Sequence, residues 1–290
     1  MELLKAHPRY PGVALDIRTC EGDMEVAEQL QQQVALHAPL DGLICRPGNK
    51  VDAELIASAG PNLRAISTLS VGYNHIDRAE ANKRGILVGH CPDTVTQTTA
   101  DTALALLLAA ARLIIPAREN VSTGMWGKTP FDCYHLCGTD VHGSTVGIVG
   151  LGRIGLAVAK RLRGFDCKIL YSGRRPRPED AKMVDAEYVP FDELLRRSDF
   201  VLPQCPFTDE TKHLFNADAF AKMKPSAVFV NTTRGGVVDQ TALYDALKQG
   251  KIWAAALDVT DPGEFVSHRL LVLRRGAGSC MHNGASACVV

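Results

Sequence analysis

The sequence predicts an α/β protein whose main domain is a doubly wound parallel sheet. Short apolar strands alternate with helical segments along most of the chain, which is the pattern of strand–helix–strand units. A glycine-rich turn near the middle of the chain joins one apolar strand directly to a helix, as parallel sheets of this class require. With 290 residues, the chain is long enough to form two domains.

The first part of the chain has its own strand–helix–strand rhythm, which predicts a small α/β domain. We expect strands at residues 13–19, 43–45 and 65–69, with helices at residues 25–34 and 52–59. An Ala- and Leu-rich segment from Thr98 to Leu113 follows, and it predicts a buried helix that crosses from one domain to the other.

The second part of the chain repeats the same alternation and predicts the larger sheet. Its expected strands are the apolar runs at residues 146–149, 168–171, 200–202, 227–231 and 253–259. Its expected helices lie at residues 156–162, 191–197, 218–223 and 240–249.

The turn at residues 150–155 has the Gly-x-Gly-x-x-Gly spacing of a dinucleotide-binding loop. Gly150 permits the tight turn, Gly152 lets a pyrophosphate approach the backbone, and Gly155 lets the helix pack closely. The positive end of the helix dipole then faces the phosphates. Because the loop lies between a strand and a helix, we interpret it as the start of a Rossmann domain rather than as a structural glycine turn. The predicted contacts are Gly150, Leu151, Gly152, Arg153, Ile154 and Gly155.

The next strand ends in Ser172, Gly173, Arg174 and Arg175, where an NAD enzyme has an Asp or Glu that binds the ribose 2′-hydroxyl. Ser172 cannot repel a 2′-phosphate, and the two arginines can pair with it. The sequence therefore predicts NADP as the cofactor. The alternative is that Arg174, Arg175 and Arg177 only form a solvated basic loop.

Composition excludes several other kinds of function. The 32 basic and 32 acidic side chains balance, so we expect neither a nucleic-acid partner nor a membrane-surface partner. The most apolar stretch, residues 103–111, is far shorter than a bilayer requires, and the N-terminus lacks the apolar core of a signal peptide. The nine cysteines are scattered, and the pair Cys133 and Cys137 has no matching second pair, so we expect no metal site. These features predict a cytoplasmic protein.

Several spaced motifs together resemble one enzyme family. Arg234 follows an apolar strand in an Asn-Thr-Thr-Arg-Gly-Gly segment, where its planar guanidinium suits a substrate carboxylate, although an interdomain salt bridge is an alternative. The other motifs are the central Gly-Leu-Gly-Arg-Ile-Gly, the segments at residues 70–77 and 84–86, and Gly-Lys-Ile leading to Leu257, Asp258 and Val259. In this order they resemble the D-isomer-specific 2-hydroxyacid dehydrogenases. The Asp-Val-Thr segment at 258–260, the arginine loop and Gly-Met-Trp at 124–126 are most similar to the glyoxylate/hydroxypyruvate reductase branch.

The resemblance implies an architecture and a partner. A Rossmann cofactor domain at residues 93–260 would be inserted in a smaller, split flavodoxin-like substrate domain made of residues 1–92 and 261–290. The family reduces small 2-oxo acids to 2-hydroxy acids, and it forms homodimers through the region around Trp126. A tryptophan packed under its own loop is the alternative for that residue.

The resemblance also implies roles for individual residues. Arg234 would bind the substrate carboxylate, assisted by the backbone N–H groups of Val71 and Gly72. Thr233 and Asp258 would lie on the cofactor side. A histidine would protonate the substrate carbonyl, and a glutamate hydrogen-bonded to it would keep it protonated. The matching catalytic residues here are His282 and Glu264.

The C-terminal part departs from the family pattern. Gly263 occupies the place of the family glutamate, and Glu264 is its neighbour. His282 lies in Met-His-Asn-Gly-Ala-Ser-Ala, at about the family spacing from Arg234, but it could also be a chance histidine. The chain ends eight residues later, so we expect a shortened tail and an uncovered apolar face. Three functions stay open: an active glyoxylate/hydroxypyruvate reductase, an impaired form that binds NADP(H) without turnover, and a reductase of another 2-oxo acid.

Overall fold

The computed structural model describes residues 27–128 and 135–261. The chain divides into two compact units between Pro92 and Asp93. We call them the N-terminal unit and the C-terminal unit. The strand expected at residues 13–19 lies outside the described residues, and so does nearly all of the segment 261–290.

The N-terminal unit contains a three-stranded parallel sheet in the order β1-β2-β3. Its elements are α1 (Ala27–His37), β1 (Gly42–Cys45), α2 (Ala53–Ser58), β2 (Ala65–Thr68), α3 (Arg78–Lys83) and β3 (Leu87–Gly89). Asp52 and Asp77 cap α2 and α3, because each side chain accepts a backbone N–H from the first turn. One sheet face packs against helices around Ile66, while Ile44 and Leu87 on the other face are 60% and 74% exposed.

The C-terminal unit contains a six-stranded parallel sheet in the order β6-β5-β4-β7-β8-β9. Its strands are β4 (Thr145–Val149), β5 (Lys168–Ser172), β6 (Ala186–Tyr188), β7 (Phe200–Pro203), β8 (Val228–Asn231) and β9 (Ala254–Leu257). Its helices are α4 (Thr96–Ala111), α5 (Ile114–Ser122), α6 (Arg153–Leu162), α7 (Pro178–Lys182), α8 (Phe191–Arg197), α9 (Ala217–Lys222) and α10 (Gln240–Lys248). Two apolar clusters line the sheet, and the larger side chains among them include Phe200, Phe215 and Phe229. The predicted α/β fold with a doubly wound parallel sheet is confirmed.

The long helix predicted from Thr98 to Leu113 is present, but it begins and ends two residues earlier. It belongs to the C-terminal unit and does not cross from one domain to the other. It spans Thr96–Ala111, and its buried residues belong to the core of the C-terminal unit. The chain then turns at Leu113, which has a left-handed φ of 54°, and continues as α5. Pro116 explains the break, because proline has no N–H for the carbonyl of Arg112 and its ring clashes with a continuous helix there.

Four further elements, α3, β3, α7 and β6, were not predicted. Each has only three to six residues, too few to show the apolar periodicity on which the prediction relied. Within the described residues, no single helix is long and apolar enough to cross a membrane. The helices α4 and α5 pass that test of length and composition only as a pair, and they bend by 62° at the break.

Candidate active site

The carboxyl ends of β4, β5, β7, β8 and β9 lie at one edge of the six-stranded sheet, because all neighbouring pairs are parallel. The strand order reverses at β4, with β5 on one side of it and β7 on the other. Ligands bind at such a reversal in open parallel sheets. The predicted residues that lie at this edge, all in the C-terminal unit, are Gly150–Gly155, Ser172–Arg175, Thr233, Arg234 and Asp258.

The glycine-rich loop has the geometry that its three glycines predict. Gly150 has a φ of +107°, and a Cβ there would lie 2.8 Å from the carbonyl oxygen of Gln204. A Cβ on Gly155 would lie 2.2 Å from the carbonyl oxygen of Gly150, so only glycine permits this close packing of helix on loop. A Cβ on Gly152 would meet no atom within 4 Å. The loop therefore leaves open space at the one glycine where a pyrophosphate has to approach the backbone.

The N-terminus of α6 provides unpaired donors beside that open space. Gly152 is the N-cap residue and makes no side-chain cap, and the first helical hydrogen bond runs from Leu156 N–H to the Gly152 carbonyl over 2.8 Å. The N–H groups of the preceding residues thus have no partner within the helix. Together with the helix dipole, this suits an anion such as a pyrophosphate. Arg153, in the first turn, is exposed and pairs with Asp93 at 3.2 Å.

The end of β5 presents two arginines to solvent. Ser172 is buried and its carbonyl accepts the Gly150 N–H at 2.8 Å, which joins this strand end to the glycine-rich loop. Arg174 and Arg175 are exposed, and among the described residues no acidic side chain pairs with either. Arg177 differs from them, because its Nε lies 2.6 Å from the Asp180 carboxylate.

Arg234 lies just beyond β8 in a turn held by a buried asparagine. The Asn231 side chain accepts the backbone N–H of Thr233 at 3.0 Å and its hydroxyl at 2.7 Å, and donates to the carbonyl of Arg234 at 3.1 Å. The Arg234 guanidinium donates to the Thr233 carbonyl at 2.8 Å. Within the described part of the chain no carboxylate pairs with it, and burial lowers its pKa. The site thus contains a partly desolvated cation without an acidic partner, which suits a bound anion.

Gly235, directly after Arg234, lets the loop that follows β9 approach closely. A Cβ on Gly235 would lie 2.1 Å from the carbonyl carbon of Thr260, so the two backbone segments are in direct contact. Asp258 donates its N–H to the carbonyl of Asn231 at 2.9 Å, and burial raises the pKa of its carboxyl. The loop from Asp258 to Asp261 therefore lies beside Arg234.

In the N-terminal unit, Val71 and Gly72 lie in the loop after β2. His90 Nδ1 lies 3.0 Å from the Val71 carbonyl oxygen, and the Ser70 hydroxyl donates to the Gly72 carbonyl at 2.6 Å. Both carbonyls are thus engaged, while no acceptor among the described residues binds either backbone N–H. Free N–H groups on a fixed loop can donate to a carboxylate.

Two predicted catalytic residues, Glu264 and His282, lie outside the described residues. Over the ranges 27–128 and 135–261, no group of three or more His, Cys, Asp or Glu side chains could hold a metal ion.

Sequence reasoning assigned no role to Asn231 or Gln204, although both shape the site. Asn231 is fully buried, and Gln204 donates to the hydroxyl of Thr232 at 3.2 Å. A polar residue at the end of an otherwise apolar strand was the available signal for Asn231, since its side chain can bond the backbone two residues on. Gln204 gave no such signal, because its contact joins the ends of two separate strands.

Comparisons with known proteins identify the family of the chain. Residues 104–276 match the family described as "D-isomer specific 2-hydroxyacid dehydrogenase, NAD binding domain". The chain is 47% identical over 250 residues to a human glyoxylate reductase/hydroxypyruvate reductase, which covers 86% of this chain and 75% of that protein. It is 43% identical over 273 residues to glyoxylate/hydroxypyruvate reductase B of Shigella boydii, covering 91% of this chain and 83% of that protein.

Solved structures give the same result. The crystal structure of the TT0316 protein from Thermus thermophilus superposes with a TM-score of 0.75 at 37% identity, over 84% of this chain and 74% of that one. The predicted resemblance is confirmed by sequence and by fold. The chain belongs to the D-isomer-specific 2-hydroxyacid dehydrogenase family, whose members are NAD(P)-dependent oxidoreductases.

Proposed function

We propose that this protein binds NADPH and reduces glyoxylate or hydroxypyruvate to glycolate or D-glycerate. The proposal depends above all on Arg234, a partly desolvated guanidinium at the ligand edge of the sheet with no carboxylate partner in the described part of the chain. A 2-oxo acid carboxylate would supply the missing anion and accept two parallel hydrogen bonds. The names of the human and Shigella relatives support these two substrates.

The chemistry requires a hydride, a proton and a fixed substrate. NADPH, when bound at the glycine-rich loop, would supply the hydride that this reduction requires. In the proposal His282 donates the proton to the carbonyl oxygen, so that the C=O group becomes CH–OH. Glu264 is proposed as the partner of His282, since a hydrogen bond to a carboxylate would raise the histidine pKa and favour a protonated ring at neutral pH. Arg234 holds the carboxylate, and the N–H groups of Val71 and Gly72 are proposed as further donors to the substrate.

The choice of NADPH rests on the end of β5. Arg174 and Arg175 are exposed cations without an acidic partner among the described residues, and the strand ends in Ser172 rather than an acid. A 2′-phosphate would pair with these guanidinium groups, whereas a 2′-hydroxyl gains little from them. Thr233 and Asp258 are proposed to lie on the nicotinamide side, since they follow β8 and β9 at the same edge.

We further propose that the protein is a cytoplasmic homodimer. The exposed surface of α5 and the turn after it supports a second copy as the partner. Within this helix no residue is buried, and Ile114, Val121 and Trp126 are 52%, 62% and 63% exposed. That exposure argues against a tryptophan packed under its own loop. Sedimentation of the wild type and of Trp126→Glu tests the dimer, which the added charge should weaken.

The test of activity is a pair of measurements on the purified full chain. NADPH binding is followed by fluorescence, and NADPH oxidation is followed with hydroxypyruvate, glyoxylate and pyruvate as separate substrates. We expect binding together with turnover of the first two. Binding without turnover of any 2-oxo acid would identify the impaired form, and turnover of pyruvate alone would identify a reductase of another 2-oxo acid.

The test of cofactor choice uses three arginines of one loop. The double variant Arg174→Ala/Arg175→Ala should bind NADPH at least about tenfold more weakly while its affinity for NADH stays nearly unchanged. Arg177→Ala is the matched control, because Arg177 is already paired with Asp180. Equal losses for all three substitutions would identify the loop as a solvated basic segment and contradict the NADPH proposal.

A further inference from the structure

The loop that contains Arg174 and Arg175 is attached to the sheet by two tyrosines from neighbouring strands. Tyr171 lies in β5 and Tyr188 in β6, and the two are direct partners in the parallel register. Their rings meet edge to face, with centroids 5.2 Å apart and an interplanar angle of 61°. Tyr171 is almost fully buried, whereas Tyr188 is 40% exposed. The exposed ring thus packs against a fixed one.

Each tyrosine hydroxyl holds one end of the loop. The Tyr188 hydroxyl donates to the carbonyl of Gly173 at 3.1 Å. The Tyr171 hydroxyl accepts the backbone N–H of Arg177 at 3.0 Å. Residues 174–176 therefore lie between two points that are fixed to the sheet. Arg174 and Arg175 are the two residues of this span whose side chains are cationic.

Other contacts restrict the same segment without involving those two side chains. Pro176 and Pro178 have fixed φ angles, and Pro178 begins α7. The Arg177 guanidinium is bound to Asp180 in the first turn of that helix. The backbone of the loop is thus held in place, while the guanidinium groups of Arg174 and Arg175 stay available to a ligand.

A fixed loop backbone raises the affinity of a phosphate site made of exposed arginines. Exposed ion pairs contribute little when long side chains and their loop have to be ordered on binding. Fixing the loop in advance removes part of that entropic loss, so the same contacts give a higher affinity. The Gly173 carbonyl is one residue before Arg174, so the bond from Tyr188 acts close to the first guanidinium.

We propose that Tyr188 is a positioning residue for the choice of NADPH over NADH, because its hydroxyl fixes the loop that presents Arg174 and Arg175 to the 2′-phosphate. This inference rests on the proposed use of NADPH. Tyr188 itself contacts neither the substrate nor the reacting atoms, and its effect passes through Gly173 to the two arginines.

The experiment uses Tyr188→Phe in the full chain, which removes one hydroxyl and keeps the ring against Tyr171. Tyr244→Phe, in α10, is the control for loss of a tyrosine hydroxyl elsewhere in the same unit. Dissociation constants are measured for NADPH, NADH and 2′,5′-ADP, a fragment that contains the 2′-phosphate. Thermal unfolding of each variant is measured beside them.

We expect Tyr188→Phe to weaken NADPH and 2′,5′-ADP binding by about fivefold, the effect of losing one ordinary hydrogen bond. NADH binding should match that of the wild type and of Tyr244→Phe, and the melting temperature should fall by no more than about 2–4 °C, the effect of one lost hydrogen bond on the fold. Equal weakening of NADPH and NADH, or no weakening of either, would overturn the role of Tyr188. A wild type that binds NADH as tightly as NADPH would instead overturn the cofactor proposal itself, so the two failures are distinguishable.

Discussion

Two glycines of the dinucleotide loop should respond in opposite ways to the same added methyl group. Gly152 has φ −84° and ψ −164°, an extended conformation that alanine adopts, and its Cβ would meet no atom within 4 Å. Gly155 lies inside α6, and its Cβ would lie 2.2 Å from the carbonyl oxygen of Gly150. The sequence motif assigns Gly152 to the pyrophosphate and Gly155 to the packing of the helix, and the surroundings of the two glycines agree with that division.

For Gly152→Ala we expect an almost unchanged free energy of unfolding. Alanine restricts the unfolded chain, which stabilises the protein by about 0.4–1 kcal/mol. Alanine is also a poorer N-cap than glycine, which costs about 0.5–1 kcal/mol. The two effects cancel to within about 0.5 kcal/mol. The methyl group nevertheless enters the space that the pyrophosphate needs, so NADPH binding should weaken at least about tenfold, or about 1.4 kcal/mol.

For Gly155→Ala we expect a loss of stability as well as binding. The helix and the loop have to separate by more than 1 Å to bring the new contact to an ordinary distance. Overpacking of this kind costs about 1–3 kcal/mol, against a gain of about 1 kcal/mol because alanine favours a helix. The net loss of about 1 kcal/mol corresponds to a melting temperature lower by about 2–4 °C. The shift also moves the loop and weakens NADPH binding.

The assay pairs urea unfolding, followed by circular dichroism, with NADPH titration by fluorescence. Gly164→Ala is the control, since its Cβ would also meet open space and it lies in the short turn after α6, away from the loop. The reasoning is refuted if Gly152→Ala binds NADPH as the wild type does. It is also refuted if Gly152→Ala loses as much stability as Gly155→Ala.

Three further predictions follow from single groups. Arg234→Lys should lower kcat/KM for hydroxypyruvate by about a hundredfold, because lysine cannot form the two parallel bonds, while NADPH affinity measured by fluorescence stays constant. Burial raises the pKa of the Cys205 thiol to about 11. Iodoacetamide should therefore label Cys205 far more slowly than the exposed Cys137 at pH 8. The stability that the neutral thiol contributes should be lost as the pH rises towards 11. Arg197 lowers the pKa of Glu187 to about 2. The Glu187 carboxylate therefore stabilises the fold above its ordinary pKa, and this effect is lost as the pH falls towards 2. In Glu187→Gln, the free energy of unfolding should change less over this pH range.

The sequence was sufficient for features that depend on neighbouring residues. The order of strands and helices, the glycine-rich turn and the composition after β5 are all local patterns, and the fold and family that they predicted are confirmed. The break after α4 was missed because Ala, Leu and Ile continue through it, and the one local signal was Pro116. The hydrogen bonds of Asn231 were missed because they become apparent only when the turn is formed.

The hardest question for sequence analysis is which arginines bind ligands, and here the answer depends on their partners. Arg153, Arg161 and Arg177 are paired with carboxylates, and each partner is an acid that the fold brings near. Two of these pairs join α6 to residues 60 positions away, so no short motif predicts them.

Arg234 is the opposite case. A cation that the fold partly desolvates without giving it an acidic partner raises the energy of the ligand-free protein, and an anionic ligand lowers it again. Such an arginine contributes more to binding an anion than to the fold, whereas a paired arginine contributes to the fold itself. Arg174 and Arg175 are exposed, so their contrast with Arg177, which is bound to Asp180, concerns pairing alone within a single loop. If the alanine variants of these three lose NADPH affinity equally, pairing within the fold does not distinguish ligand arginines from structural ones in this protein.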